Sequence, residues 1–193
     1  MFGEKKFSFS KHHMWVVVGV VDIVGSTTLL EPLEASDLDE FYTIFLRRMS
    51  NAIRDVHGVV IKNTGDGLLF YFPKTNTKNT KAFDSIIEAG RTLLAKREQL
   101  NVELIRHGLP TLSYRISMSY GPVSAMLDSR NHVVDIFGAV VSSCAKMNKL
   151  ARPNTFVTGE ALHAKILPSA TEAREVGTLS IAPRKSFAVY EIL

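Results

Sequence analysis

Val16-Val17-Val18-Gly19-Val20-Val21-Asp22 and Val59-Val60-Ile61-Lys62-Asn63-Thr64-Gly65-Asp66-Gly67-Leu68-Leu69-Phe70 decide how this chain folds. The first is an unbroken apolar run that ends at a carboxylate, and it reads as a buried strand. The second reads as two strands around Thr64-Gly65-Asp66-Gly67, because Asp-Gly between apolar runs is a strong hairpin signal. Asp66 is therefore predicted at a hairpin tip and Asp22 just past a strand. Packing requires neither carboxylate. Two of them on adjacent strands make a site for hard divalent cations and phosphate, which is what phosphoryl transfer needs. The bland alternative is that Asp22 caps the next turn and Asp66 merely serves the hairpin.

Working outward, Ile23-Val24-Gly25-Ser26-Thr27-Thr28 reads as a turn opening a short helix, where free backbone N–H groups can hold phosphate oxygens. Ser36 or Asp37 can cap a longer helix whose Leu38, Phe41, Tyr42, Phe45, Met49, Ile53 and Val56 recur at helical spacing, with Gly58 as its stop. A loop from Pro73 leads to a second long helix carrying Phe83, Ile86, Ile87, Leu93 and Leu94, which ends at Gly108-Leu109-Pro110. Leu112 to Tyr120 alternates as a strand. Gly121-Pro122 is predicted to break it, with Val123 to Leu127 returning as its hairpin partner. A helix follows Gly138, then a short strand at Phe156-Val157, a helix over Ala161 to Ile166, and strands at Glu175 to Leu179 and Phe187 to Ile192. The order β-α-β-β-α-β with a C-terminal α/β extension predicts an α+β, ferredoxin-like, palm-type antiparallel sheet with helices packed on it. Residues 1–14 read as an N-terminal arm and 15–193 as one domain.

Composition narrows the function classes. The chain has 193 residues, 46% hydrophobic and 22% charged, as an ordinary globular domain has. Its net charge of +4 favours an anionic ligand, but the basic residues are scattered without a nucleic-acid module, so nucleic acid is not expected as a partner. Cys144 is the only cysteine and reads as a small helix residue, which fits a reducing, cytoplasmic setting. The apolar run before Asp22 is too short to span a membrane, so no membrane association is expected. The six histidines lack metal-ligand spacing and read as surface residues.

Four separated blocks resemble a known family. They are Val21-Asp22-Ile23-Val24-Gly25-Ser26-Thr27; Ile61-Lys62-Asn63-Thr64-Gly65-Asp66; Tyr114-Arg115-Ile116-Ser117-Met118-Ser119-Tyr120-Gly121-Pro122-Val123; and Asp135-Ile136-Phe137-Gly138 leading to Ala145-Lys146-Met147. From about Trp15 to Leu193 the chain is similar to the class III nucleotidyl cyclase homology domain of adenylate and guanylate cyclases, and its stand-alone style resembles archaeal members. The resemblance implies that Asp22 and Asp66, with the Ile23 carbonyl, hold two Mg²⁺ or Mn²⁺ ions, and that backbone amides of Val24, Gly25, Ser26 and Thr27 cradle the β- and γ-phosphates. Lys62 and Asp135 fall on the family's purine-reading positions, where lysine with aspartate is the adenine combination; the alternative roles are a solvated lysine and a helix cap. ATP is thus the favoured nucleoside triphosphate, with 3′,5′-cyclic AMP and pyrophosphate as products. Because the family builds its site between two domains, a homodimer with two equivalent sites is implied.

The chain departs from the family at the transition-state positions. The expected asparagine falls on Ser142 and the expected arginine on Lys146, four apart on one helix face. Serine is shorter, and lysine offers a point charge in place of a planar fork. The C-terminal lysine that grips the triphosphate falls on Ile181, unless Arg184 or Lys185 replaces it. On the fourth strand Arg115 and Tyr120 are candidates to line the site, with packing the role favoured for both. Two alternatives stay open: a degenerate cyclase-like domain that binds nucleotide or a partner without turnover, and a cyclase or hydrolase using another nucleoside triphosphate.

Overall fold

The computed structural model describes residues 8–9, 13–79, 81–166, 172–182 and 185–193. Its centre is β2 (Met14–Ile23), which pairs antiparallel with β4 (Gly67–Phe72) on one side and β5 (Tyr114–Leu127) on the other. With β3 (Val59–Asn63), β7 (Phe156–Gly159), β8 (Ala173–Ala182) and β9 (Lys185–Ile192), the sheet runs β3-β4-β2-β5-β7-β9-β8. Every pairing is antiparallel except β5 with β7, so the sheet is mostly antiparallel, as expected, with one parallel pair.

β2 reads as continuous valine because both of its faces are covered. Val17, Val21 and Ile23 face a core built with α2 (Ala35–Asp55) and α3 (Lys81–Arg106), among Phe41, Phe45, Leu93 and Tyr114. Val16, Val18 and Val20 face a second core under α4 (Ala139–Asn148), with Val140, Cys144 and Met147. Full burial of one valine contributes about 1.5 kcal/mol or more, so the register of this strand is firmly held. A one-residue slip would exchange its two faces. Asp22 shares parity with Val18 and Val20, which places it on the α4 side of the sheet.

Three local expectations are corrected. Gly121-Pro122 does not end its strand: β5 continues through both to Leu127, and its hairpin partner is β6 (Val133–Phe137). Proline is tolerated there because β7 pairs only with residues 116–118 and β6 only from Ser124 onward, so no ladder bond on that edge is lost. Second, α2 starts at Ala35 with Glu34 as N-cap and no side-chain capping bond, so neither Ser36 nor Asp37 caps it. Third, His57 (φ 64°) and not Gly58 takes the left-handed turn after α2, while the Gly58 amide bonds the Ile53 carbonyl at 2.8 Å. Of the predicted arm, residues 1–7 and 10–12 lie outside the described residues. β1 (Ser8–Phe9) adds to β5, and Met14 already belongs to β2. No helix among the described residues is long and apolar enough to cross a membrane.

Candidate active site

The ends of β2 and the β3–β4 hairpin meet at the aspartates. Asp22 lies across from Gly67, and the Ile23 amide donates to the Asp66 carbonyl at 3.0 Å, tying the two acidic segments together. A Cβ on Gly67 would come within 2.2 Å of the Val21 carbonyl oxygen, so only glycine lets the hairpin lie this close. The Ser26 hydroxyl donates to Asp66 Oδ2 at 2.5 Å and orients it. Ser26 opens α1 (Ser26–Leu30), and Gly25 before it has φ 66°, the left-handed region. Gly25 is therefore required by backbone conformation. The Val24 amide, predicted to face phosphate, instead donates to the Ser113 carbonyl at 2.9 Å. Helix geometry leaves the Ser26 and Thr27 amides without intrahelical acceptors, so the available donors begin after Val24.

Burial pushes the Asp22 carboxyl above its ordinary value, and the neighbouring Asp66 charge adds to the effect; Arg115 partly offsets both. Arg115 lies directly across the ladder from Asp22, with NH2 3.2 Å from Oδ2. Two crowded carboxylates call for a cation, and Mg²⁺ is commonly held by one or two carboxylates plus substrate phosphates. Among the described residues no group of three or more His, Cys, Asp or Glu side chains gathers. The donor set thus fits an open site shared with a phosphate ligand, not a closed protein cage.

Lys62 and Asp135, distant in sequence, meet with Nζ 2.7 Å from Oδ2. Asp135 lies on β6, so it is not a helix cap; Gly138 takes the N-cap of α4. Its Oδ1 accepts from the Ile136 amide at 2.8 Å, which leaves Oδ2 to hold the lysine. The Lys62 ammonium also sits 5.7 Å from the Phe137 ring centroid. Between this pair and Asp22 runs a cleft of about 290 Å³, lined among others by Asp22, Lys62, Thr64, Val141, Asn148 and Lys149. Ser142 and Lys146 lie on the exposed face of α4 and are not part of that lining. The single chain therefore brings together the aspartates, and separately the Lys62–Asp135 pair, while leaving the two α4 residues facing outward.

The sequence model of the adenylate and guanylate cyclase catalytic domain matches residues 9–192. The chain belongs to this family. A search of curated proteins returned no match. Among solved structures, the chain is similar to the adenylyl cyclase CyaB from P. aeruginosa (18% identity, TM-score 0.79, covering 97% of this chain and 96% of that one). It is also similar to the guanylate cyclase domain of RhGC from Catenaria anguillulae in complex with GTP (14%, TM-score 0.75, 95% and 98%). A non-canonical dimeric guanylyl cyclase domain of a RhoGC fusion protein from the aquatic fungus Blastocladiella emersonii matches at 14% identity and TM-score 0.70, over 95% and 98%. At these identities the likeness shows a shared cyclase fold.

Within this cyclase domain several site features escaped the sequence. For Arg115, a candidate to line the site, the sequence favours packing, yet it contacts Asp22; the register that sets them opposite is a property of the paired strands. Asn148 and Lys149 line the cleft because α4 turns them toward β2, and the Asn148 amide donates to the Val20 carbonyl at 3.2 Å. Tyr120 packs instead with Trp15 and Phe83 on the opposite side of the sheet. Cys144 is fully buried with its thiol pushed up to about 12 by burial, so it is no nucleophile. His163 stacks on Tyr190 at 3.9 Å and is not a plain surface residue. Ile181 lies on β8; Arg184 and the Lys185 side chain fall outside the described residues.

Proposed function

We propose that this cyclase domain converts ATP to 3′,5′-cyclic AMP and pyrophosphate in cytoplasmic signalling, at two equivalent sites shared between copies in a homodimer. The observation that carries the reading is the Lys62–Asp135 pair, brought together at 2.7 Å from segments far apart in the sequence. An ammonium that donates and a carboxylate that accepts match the ring nitrogen and amino group of adenine, and guanine presents the reverse pattern.

In the reaction the ribose 3′-oxygen forms a bond to the α-phosphorus, the bond to pyrophosphate breaks, and the 3′-hydroxyl proton passes to solvent water. Asp22 and Asp66, with the Ile23 carbonyl, would hold two Mg²⁺ or Mn²⁺ ions, which lower the hydroxyl pKa and neutralise phosphate charge when bound. Ser26 keeps Asp66 oriented, and the amides of Gly25, Ser26 and Thr27 receive phosphate oxygens. Ser142 orients the ribose and Lys146 meets the charge that develops at the α-phosphate. Their outward position on α4 supports a site completed by a second copy.

The same two residues favour a second reading, nucleotide binding without turnover, because lysine lacks the bidentate fork of arginine. Incubating the pure protein with ATP, GTP, CTP and UTP, each with Mn²⁺ or Mg²⁺, and identifying products by mass distinguishes them. Cyclic AMP from ATP in excess over other cyclic products is expected. Cyclic GMP in excess would reverse the base assignment, and no cyclic product from any triphosphate would favour the binding module.

A further inference from the structure

The side of α4 away from the cleft closes a larger cavity of about 480 Å³, where β5, α4, the β8–β9 hairpin and α5 (Glu160–Ile166) meet. Val140, Ala164, Ile181 and Phe187 give it apolar walls. Strand alternation puts Ser117 and Ser119 on the same side of β5. The Ser117 hydroxyl donates to the Cys144 carbonyl at 2.9 Å. Ser119, one step along, reaches the cavity instead, and Ser143 on α4 joins it there. Both are more than nine-tenths buried, at 6% and 7% exposure, and among the described residues neither hydroxyl has a hydrogen-bond partner. Neither oxygen is sealed from solvent, so both are free to receive an occupant, and cavities of this size with a few convergent polar groups are the usual form of a ligand site.

We propose that this cavity binds a small, uncharged amphipathic molecule, its apolar body against Val140, Ile181 and Phe187 and its polar group on the hydroxyls of Ser119 and Ser143. Glu160 belongs to the same lining, and its negative charge disfavours an anion. Ser143 and Val140 sit on the helix that carries Ser142 and Lys146, so an occupant that shifts α4 would change the catalytic face. That regulatory consequence rests on the proposed cyclase reading; the binding itself does not.

The test is a fluorescence titration of the full chain with 6-propionyl-2-(dimethylamino)naphthalene, a neutral planar probe with one carbonyl acceptor. Saturable binding of one probe per chain with a blue-shifted emission is expected. Ala164→Trp, at an exposed helix position that lines the cavity, should fill it and weaken binding by about tenfold or more, with the melting temperature unchanged. Ser119→Ala with Ser143→Ala keeps the volume and should weaken binding several-fold. Val102→Ala, at an exposed position of α3 on the opposite side of the sheet, should leave it unchanged. Non-saturable binding, or binding indifferent to Ala164→Trp, would overturn the proposal. So would loss of binding as protein concentration rises into the dimer range, since a second copy would then occupy the cavity. No nucleotide is present, so a negative product assay and a negative titration remain separate results.

Discussion

Replacing Lys62 by Met and Asp135 by Asn should change which base is chosen far more than it changes stability. Methionine keeps the length of the lysine stem, and asparagine keeps an oxygen for the Ile136 amide. The Lys62 side chain is 46% exposed and that of Asp135 15%, so solvent screens the pair. Such partly exposed pairs contribute about 0.2–1 kcal/mol, which for a domain of this size moves Tm by no more than about 4 °C. The effect on recognition is larger because the wrong base leaves a desolvated polar group unpaired, at about 1–3 kcal/mol. The ratio of kcat/KM for ATP over GTP should therefore fall by about tenfold or more in the double variant. The assay is steady-state cyclisation of each nucleotide with Mn²⁺, alongside urea unfolding of the same preparations. An unchanged ratio, or equal losses for ATP and GTP that track a large fall in stability, would refute the base-reading role.

Asp66→Ala should remove cyclase activity, because losing stabilisation of developing charge costs several kcal/mol of barrier, while Tm moves by only a few degrees since the lost Ser26 bond is offset by relief of the repulsion with Asp22; normal turnover in this variant would refute the metal assignment. Restoring the family residues with Ser142→Asn and Lys146→Arg should raise turnover at saturating ATP by about tenfold and affect binding less; a fall in rate from a substantial wild-type value would mean that serine and lysine are adapted here. Glu191, almost fully buried, is held below its usual range first by the Arg152 hydrogen bond and then by the charges of Arg152 and Arg174. Its folded pKa is lowered, so its stabilisation is full above the ordinary carboxylate value and is lost as pH falls through the folded value. Arg152→Ala should therefore lower stability in urea unfolding at pH 7, by an amount that shrinks as pH falls through the lowered Glu191 value, and a pH-independent loss would contradict this.

Much of the fold is legible where one residue pattern has only one structural use. The valine run before Asp22 needs cover on both faces, and the structure supplies α2 and α3 on one and α4 on the other. The Asp-Gly hairpin and the spaced apolar residues of α2 fall where local chemistry places them. Pro122 misled because its cost depends on whether a neighbouring strand needs its amide, which only the assembled sheet decides. The site divides in the same way. Asp22, Asp66, Lys62 and Asp135 were visible because their positions follow recognisable blocks, and the structure adds the contact between the last two. Asn148 and Lys149 were not, since helix rotation brings them to the cleft, and for Arg115, a candidate with packing favoured, only the strand register sets it opposite Asp22. The Val24 amide was lost as a phosphate donor to a loop carbonyl from a distant segment.

The account rests on ATP cyclisation at a site that two copies share, and mixing two inactive variants tests it most directly. One variant carries Asp22→Ala with Asp66→Ala, the other Lys62→Met with Lys146→Ala. Each homodimer lacks one half of both of its sites, whereas a mixed dimer has one site with every lesion and one with none. Random exchange makes half of the dimers mixed, each with one working site of two, so the mixture should recover about a quarter of wild-type cyclic AMP production. The product is followed by mass with ATP and Mn²⁺ after the variants are allowed to exchange subunits. Recovery near that level is the predicted result. A mixture as inactive as its components, beside an active wild type and with exchange demonstrated, would contradict the shared site.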